Sequence, residues 1–347
     1  QNLVYSTIQL PPTRLRDGIP PPAPLDLTNP SGQYRFIEPN AKAAYAQQWD
    51  LSLQREFSNN WLTDLSYVGT RGLNILQIID PNQPIPGPGT IASRRPYAAL
   101  APNLTLSVGA SSGSSVYHSL QAKLQKRFSH GFYFLTSYTL SKNISYGDSN
   151  FSNGTPGVGS LGQAQDALNR RAERSLSDTD QLQRLVTSFG WDLPVFQRTR
   201  YLGGWQLSGI VTLSSGNPFD VLFQPSTLNT GTAQRPDRIR DGRLDDWTLD
   251  RYFDITAFTA PPAFTHGNSG RNVLRGPGVN TWDLSVIKNT NFTERYRLQW
   301  RTDFFNAPNN PQFNPPGNTI GTPQAGRINS TRFATNRQIQ LVLKFFF

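Results

Sequence analysis

Three histidines, His118, His130 and His266, are the side chains best placed by type to ligate zinc or move protons near neutral pH. No two of them stand at H-x3-H or H-E-x-x-H spacing, so a zinc site is not expected. The absence of cysteine removes thiol catalysis, disulfide scaffolds and Cys-ligated zinc. His118 beside Ser119 supplies a base and a nucleophile in sequence. Neighbours on a strand point to opposite faces, so the pair cannot make a nucleophile–base contact. The run Arg235–Asp254 (RPDRIRDGRLDDWTLDRYFD) lacks the D-x-[DN]-x-[DN]-G order of a calcium loop, and its arginines compete for its aspartates. It reads as a loop held by ion pairs. The glycine-rich GNSGRN (267–272) and GPGVN (276–280) lack the strand-to-helix context of a phosphate loop. The expectation is therefore no catalytic residue, no metal and no cofactor, in a protein that is not an enzyme.

What remains is a set of polar residues repeated at every second position. Asp50, Gln54, Glu56, Lys123, Arg127, Arg184, Arg297, Arg301 and Asp303 each stand on the polar side of an alternating segment. Arg127, Arg184, Arg297, Arg301 and Asp303 are candidate contacts for a ligand. A basic inner surface would favour an anionic one. The other reading is that these residues pair with one another along a charged wall.

The 347 residues carry 33 Lys+Arg and 23 Asp+Glu, a formal charge of +10, with 28 Gly and 27 Pro. The basic residues never run longer than two, and no nucleic-acid-binding motif is present, so no nucleic acid partner is expected. No methionine is present and no signal-like segment opens the chain, so the expectation is a processed chain or part of a longer one. No stretch of 18 apolar residues occurs, which excludes a transmembrane helix and leaves strands as the means of crossing a bilayer.

Period-2 alternation dominates. Trp49, Leu51, Leu53 and Phe57 alternate with polar residues over 45–57. After Ser58-Asn59-Asn60 the pattern resumes with Trp61, Leu65 and Tyr67. Val116–Phe128 and Phe132–Ser145 repeat the form around Ser129-His130-Gly131. Leu182–Phe196 and Gly204–Ser215 follow, then Asn280–Lys288 and Arg295–Phe305, then Arg337–Phe347. The expectation is nine antiparallel strands of 10–15 residues, long enough to cross a bilayer at a tilt. Short connections at 58–60, 129–131, 197–203 and 289–294 alternate with long ones at 71–114, 146–180, 217–279 and 306–336. That is the layout of an outer-membrane barrel with short periplasmic turns and long outer loops. Residues 1–40 are Pro-rich and read as a loop, with strand character at Leu3–Leu10, and helical spacing is confined to Gln163–Ser177.

The aromatics Phe57, Trp61, Phe128, Phe132, Trp205 and Tyr296 flank the short turns, as a girdle at one membrane interface would. The last strand alternates Ile339, Leu341, Leu343, Phe345 and Phe347 to its terminal aromatic. Nine is odd, whereas bacterial single-chain barrels are even-stranded. The chain is thus expected to be one partial-barrel domain over 1–347.

Several stretches carry a resemblance: 44–75 (AYAQQWDLSLQREFSNNWLTDLSYVGTRGLNI), 117–144 (YHSLQAKLQKRFSHGFYFLTSYTLSKNI), 202–219, 267–292, 296–316 and the ending RQIQLVLKFFF. In this order they resemble the C-terminal barrel region of TonB-dependent outer-membrane receptors, in particular the Oar-like group abundant in Acidobacteria. The resemblance implies a 22-stranded barrel of which this is roughly the last nine strands. It also implies a plug and TonB box upstream, not visible here, and coupling through them to the inner-membrane TonB complex. The terminal strand resembles the signal read by the barrel-assembly machinery. The expected location is the bacterial outer membrane, with outer-membrane lipid as a partner, and the expected function is ligand uptake. The alternatives are an adhesion or structural barrel that binds a protein or polysaccharide through its loops, and a soluble β-sandwich.

Overall fold

The computed structural model describes residues 31–58, 60–100, 102–146, 164–196, 199, 201–333 and 335–347. The strand character at Leu3–Leu10 lies outside these residues. The strands in chain order begin with β1 (Ser31–Ile37), β2 (Tyr45–Ser58), β3 (Trp61–Ile79), β4 (Asn103–Ser129), β5 (Phe132–Ser145) and β6 (Ser175–Leu176). Then come β7 (Gln183–Asp192), β8 (Trp205–Ser214), β9 (Pro218–Phe219), β10 (Leu222–Phe223), β11 (Asp237–Arg238) and β12 (Phe258–Thr259). The last are β13 (Leu274–Arg275), β14 (Val279–Asn291), β15 (Arg297–Phe305), β16 (Thr319–Ile320) and β17 (Gln338–Phe346).

Nine of these, β2-β3-β4-β5-β7-β8-β14-β15-β17, form one meander in which each strand pairs antiparallel with the next. The alternation fixes the register, because a one-residue slip would turn every apolar side chain to the other face. Leu53 stands opposite Leu65, and Leu65 opposite Ala122. Across the second half of the sheet, Trp282, Leu284 and Val286 face Val211, Gly209 and Leu207. Two contacts, one on each face, depend on glycine. Trp49 lies over Gly69, where a Cβ would come within 2.2 Å of the indole, and Tyr133 covers Gly190 in the same way at 2.3 Å.

Three expectations change. The connection drawn at 71–114 is strand at both ends, since β3 runs to Ile79 and β4 starts at Asn103. Part of the loop drawn at 1–40 is β1, which pairs parallel with β4 from Ser31↔Asn103 to Ile37↔Gly109. The physical reason is a vacancy. The pairing of β5 with β4 stops at Ser145↔Ser115, which leaves the upper end of β4 open on that side. Among its described residues, 164–177, the helical spacing at 163–177 yields only a 3-10 turn, Arg170–Glu173, and β6.

Burial runs opposite to that of a soluble sandwich. Leu51 and Leu341, on the apolar face of the wall, are 75% and 68% exposed. The buried apolar cluster lies in the long connections instead: Phe219, Val221, Phe253, Ala257, Phe258 and Leu274, with Tyr252, Val273 and Ile320 against it. An apolar outer face and a packed core outside the wall fit a sheet whose outer solvent is lipid.

Candidate functional site: the inner face of the wall and the loop cap above it

Register assigns each strand residue to a face. Asp50, Gln54, Glu56, Lys123, Arg184, Arg297, Arg301 and Asp303 fall on the side opposite the apolar residues. A bulge sets both Arg127 and Phe128 opposite Tyr133, since Lys126 pairs with Phe134 and Ser129 with Phe132. Arg127 thus joins the polar face, where it meets Glu56 at 3.0 Å. The Phe128 ring lies 6.4 Å from Tyr133, which takes it out of line with the outer girdle expected from strict alternation. Phe57 carries Arg55 over its ring, Trp61 meets Phe134 edge-on, Trp205 meets Trp300 edge-on, and Tyr296 stacks on Phe345. Phe132 lies under Lys126.

The five candidate ligand contacts are not brought together. Arg127 sits at the short-turn end and Arg184 near the long-loop end. Arg297 lies under the Phe346 ring, 4.2 Å from its centroid. Arg301 and Asp303 do meet, with Nε donating to Oδ1 at 2.7 Å, and the Ser285 hydroxyl donates to the same oxygen. Beside them a recess of about 380 Å³ opens on the inner face, lined by Tyr133, Ser188, Ser208, Asp283, Arg301 and Asp303 among others. Of the terminal-strand residues, Ile339, Leu341, Leu343, Phe345 and Phe347 are all exposed. Among the described residues β17 pairs only with β15. His118 lies on the outer face with Nδ1 2.7 Å from the Tyr67 hydroxyl oxygen, while Ser119 is buried. His130 holds a turn at φ 52, and His266 lies in a loop.

The most built polar arrangement is one the sequence did not single out. Glu173 receives two hydrogen bonds from Arg235, 2.7 Å each, with both side chains almost fully buried. Arg271 donates to the Glu173 carbonyl, to Asp178, and to the Ser145 hydroxyl and carbonyl oxygens. Arg275 meets Asp180, and Asp180 accepts from the Asn143 amide. The Asn272 amide donates to Asp220 at 2.6 Å, and its side chain donates to Asp178. Because Asn143 and Ser145 belong to the upper end of β5, the network fastens connections 146–182 and 215–278 to the wall and to each other. Burial pushes the Asp220 carboxyl up to about 6, against the pull of Arg235 and of the Asn272 amide. Within 235–254, Arg240 pairs with Asp254 at 3.2 Å and Arg251 with Asp246 at 2.9 Å. The Thr256 hydroxyl bond to Asp254 holds that carboxyl below the usual range, against a smaller effect of burial.

An antiparallel meander, apolar outside and polar inside, capped by packed loops at one end, defines the wall of an outer-membrane β-barrel. The outer membrane beta barrel domain family matches residues 1–340, and the chain belongs to it. Its place is the bacterial outer membrane. No curated protein matches the chain. Among solved structures it is similar to the outer membrane transporter YddB from Escherichia coli, with 9% identity over 91% of this chain and 34% of that one, TM-score 0.49. It is also similar to BauA, the ferric preacinetobactin receptor from Acinetobacter baumannii, with 12% identity over 87% and 29% and TM-score 0.43. For the pyoverdine outer membrane receptor FpvA from Pseudomonas aeruginosa PAO1 the figures are 8%, 87% and 30%, TM-score 0.44. The chain spans about a third of the length of these structures.

Proposed function

We propose that the chain is the C-terminal wall, as one partial-barrel domain, of a TonB-dependent receptor of the Oar-like type, and that the whole protein takes up a solute across the outer membrane. The reading rests on the polar inner face beneath a loop cap that is fastened to the strands by buried ion pairs. Such a cap presents a fixed outer surface for capture, and the inner face offers polar contacts on the way through. Arg184, Arg301 and Asp303 are the inner-face residues nearest the cap or the recess and are the proposed points of contact. Arg127 and Arg297 belong to the short-turn end. The protein performs no chemistry in this reading. Movement is driven through upstream parts coupled to the inner-membrane TonB complex, and β17 is the strand captured during assembly by pairing at an open sheet edge.

The test compares cells with and without the full-length natural protein for accumulation of a panel of iron chelates, copper and other scarce solutes. Energy-dependent accumulation of one solute, lost on deletion and on removal of TonB, is expected. Unchanged uptake across the panel, together with lost adherence to protein or polysaccharide surfaces, would instead support an adhesion barrel.

A further inference from the structure

Charge on the outer face of the wall is of one sign. Asp50, Glu56, Asp64, Asp192, Asp283 and Asp303, the acidic residues of the nine strands, all register on the inner face. The outer face holds only cations: Arg55, Lys126 and Lys288 toward the short turns, and Arg71 and Lys142 toward the long loops.

The two groups differ in what they touch. Lys126 reaches down to the Ser129 and Phe132 carbonyls at 3.0 and 2.9 Å, and Lys288 caps the carbonyls of Gly203 and Asn289. Each also lies against an aromatic ring, Phe132 and Trp205, as Arg55 lies against Phe57. Arg71 and Lys142 are exposed and have no such partner among the described residues. Between them on β4 stands His118. Its ring lies 6.1 Å from Tyr67 and 6.2 Å from Trp49. With Nδ1 turned to the Tyr67 hydroxyl, its Nε2 edge faces away from that ring.

Height places this group at a membrane boundary. Arg71 is ten residues along β3 from the girdle residue Trp61, and Lys142 is ten along β5 from Phe132. At about 3.3 Å per residue and a tilt of about 45°, ten residues climb roughly 23 Å, close to the ~25 Å apolar band of such walls. Trp49 and Tyr67 are then the amphipathic aromatics of the second interface, and Arg71, His118 and Lys142 sit at its headgroup level.

We infer that Arg71, Lys142 and His118 form a binding site for the phosphate of a lipid headgroup in the leaflet on the long-loop side. The guanidinium, the ammonium and the imidazole N–H are all donors suited to phosphate oxygens. No carboxylate shares the face to compete with them. The inference depends on the orientation of the wall in the membrane and not on which solute it passes.

The full-length natural protein in uncharged detergent is titrated with a diphosphorylated, acylated glucosamine disaccharide and with the same lipid lacking phosphate. Bound lipid is counted by native mass spectrometry. The phosphorylated form is expected to bind roughly tenfold more tightly, and Arg71→Gln/Lys142→Gln to abolish the preference. Arg243→Gln/Arg251→Gln, which removes equal charge from the cap surface, is expected to keep it. Excess inorganic phosphate should leave the lipid bound. Equal retention of the two lipids by the native protein, an unchanged preference in Arg71→Gln/Lys142→Gln, or displacement by inorganic phosphate overturns the inference.

Discussion

Asp220 sits fully buried beneath Arg235 and Arg271 with its carboxyl near pH 6 rather than at the ordinary carboxylate value of 3.8. A carboxyl raised in the folded state contributes stability that is fully present below about pH 4 and is lost as pH rises through about 6. The size of the effect is about 3 kcal/mol if it is all local. Amide exchange at Asn272, whose N–H donates to Asp220, should therefore quicken between about pH 4 and pH 7 beyond the intrinsic rate. In Asp220→Asn the extra pH dependence should vanish, and its persistence there would assign it to another group. Arg235→Ala leaves Glu173 buried and unpaired, at a cost of about 3–5 kcal/mol to the cap. Limited proteolysis should then cut connections 146–182 and 215–278, while the wall stays intact. Little of this network is legible in sequence. Arg271 and Asn272 sit in a stretch that reads only as glycine-rich. Their partners lie 52 to 126 residues away, and no local spacing encodes a contact of that range.

At the scale of the strand, legibility is high where one face meets lipid and the other water. The period of two then appears in the residues themselves, as it does from Trp49 to Phe57 and from Ile339 to Phe347. It fades where strands rise past the membrane. Residues 103–109 (NLTLSVG) keep the alternation of Leu104, Leu106 and Val108, but the glycines and serines beyond them read as loop. Bulges also escape detection, because alternation counts residues and a bulge spends an extra one. That is why Phe128 lies beside Tyr133 instead of in line with Phe132. The lipid-facing reading of β17 is tested at mid-strand. Leu341→Arg or Leu343→Arg places a cation on the apolar face, at a cost of about 2–4 kcal/mol near the bilayer midplane. The folded, heat-modifiable fraction in outer membranes should drop sharply. A matching Gln340→Arg change, on the polar face, should leave it unchanged.

For the whole molecule, the most tightly packed part lies at one end of the wall and outside the bilayer. Its apolar cluster draws on residues from 219 to 320, and its ion pairs tie residues 173–180 and 271–275 to the upper end of β5. A loop passing through a membrane must do so unfolded, so this cap can close only after several separate segments have arrived on the same side. Closure is therefore the last event of assembly, and it works as a ratchet. Once Phe253 and Phe258 are packed and Arg235 holds Glu173, no single hairpin can slip back without breaking that packing and that buried ion pair. Protease protection should accordingly appear in 215–278 and 306–337 together, after the strands are inserted. Protection of either one first would show that the segments fold independently and that nothing in the cap enforces direction.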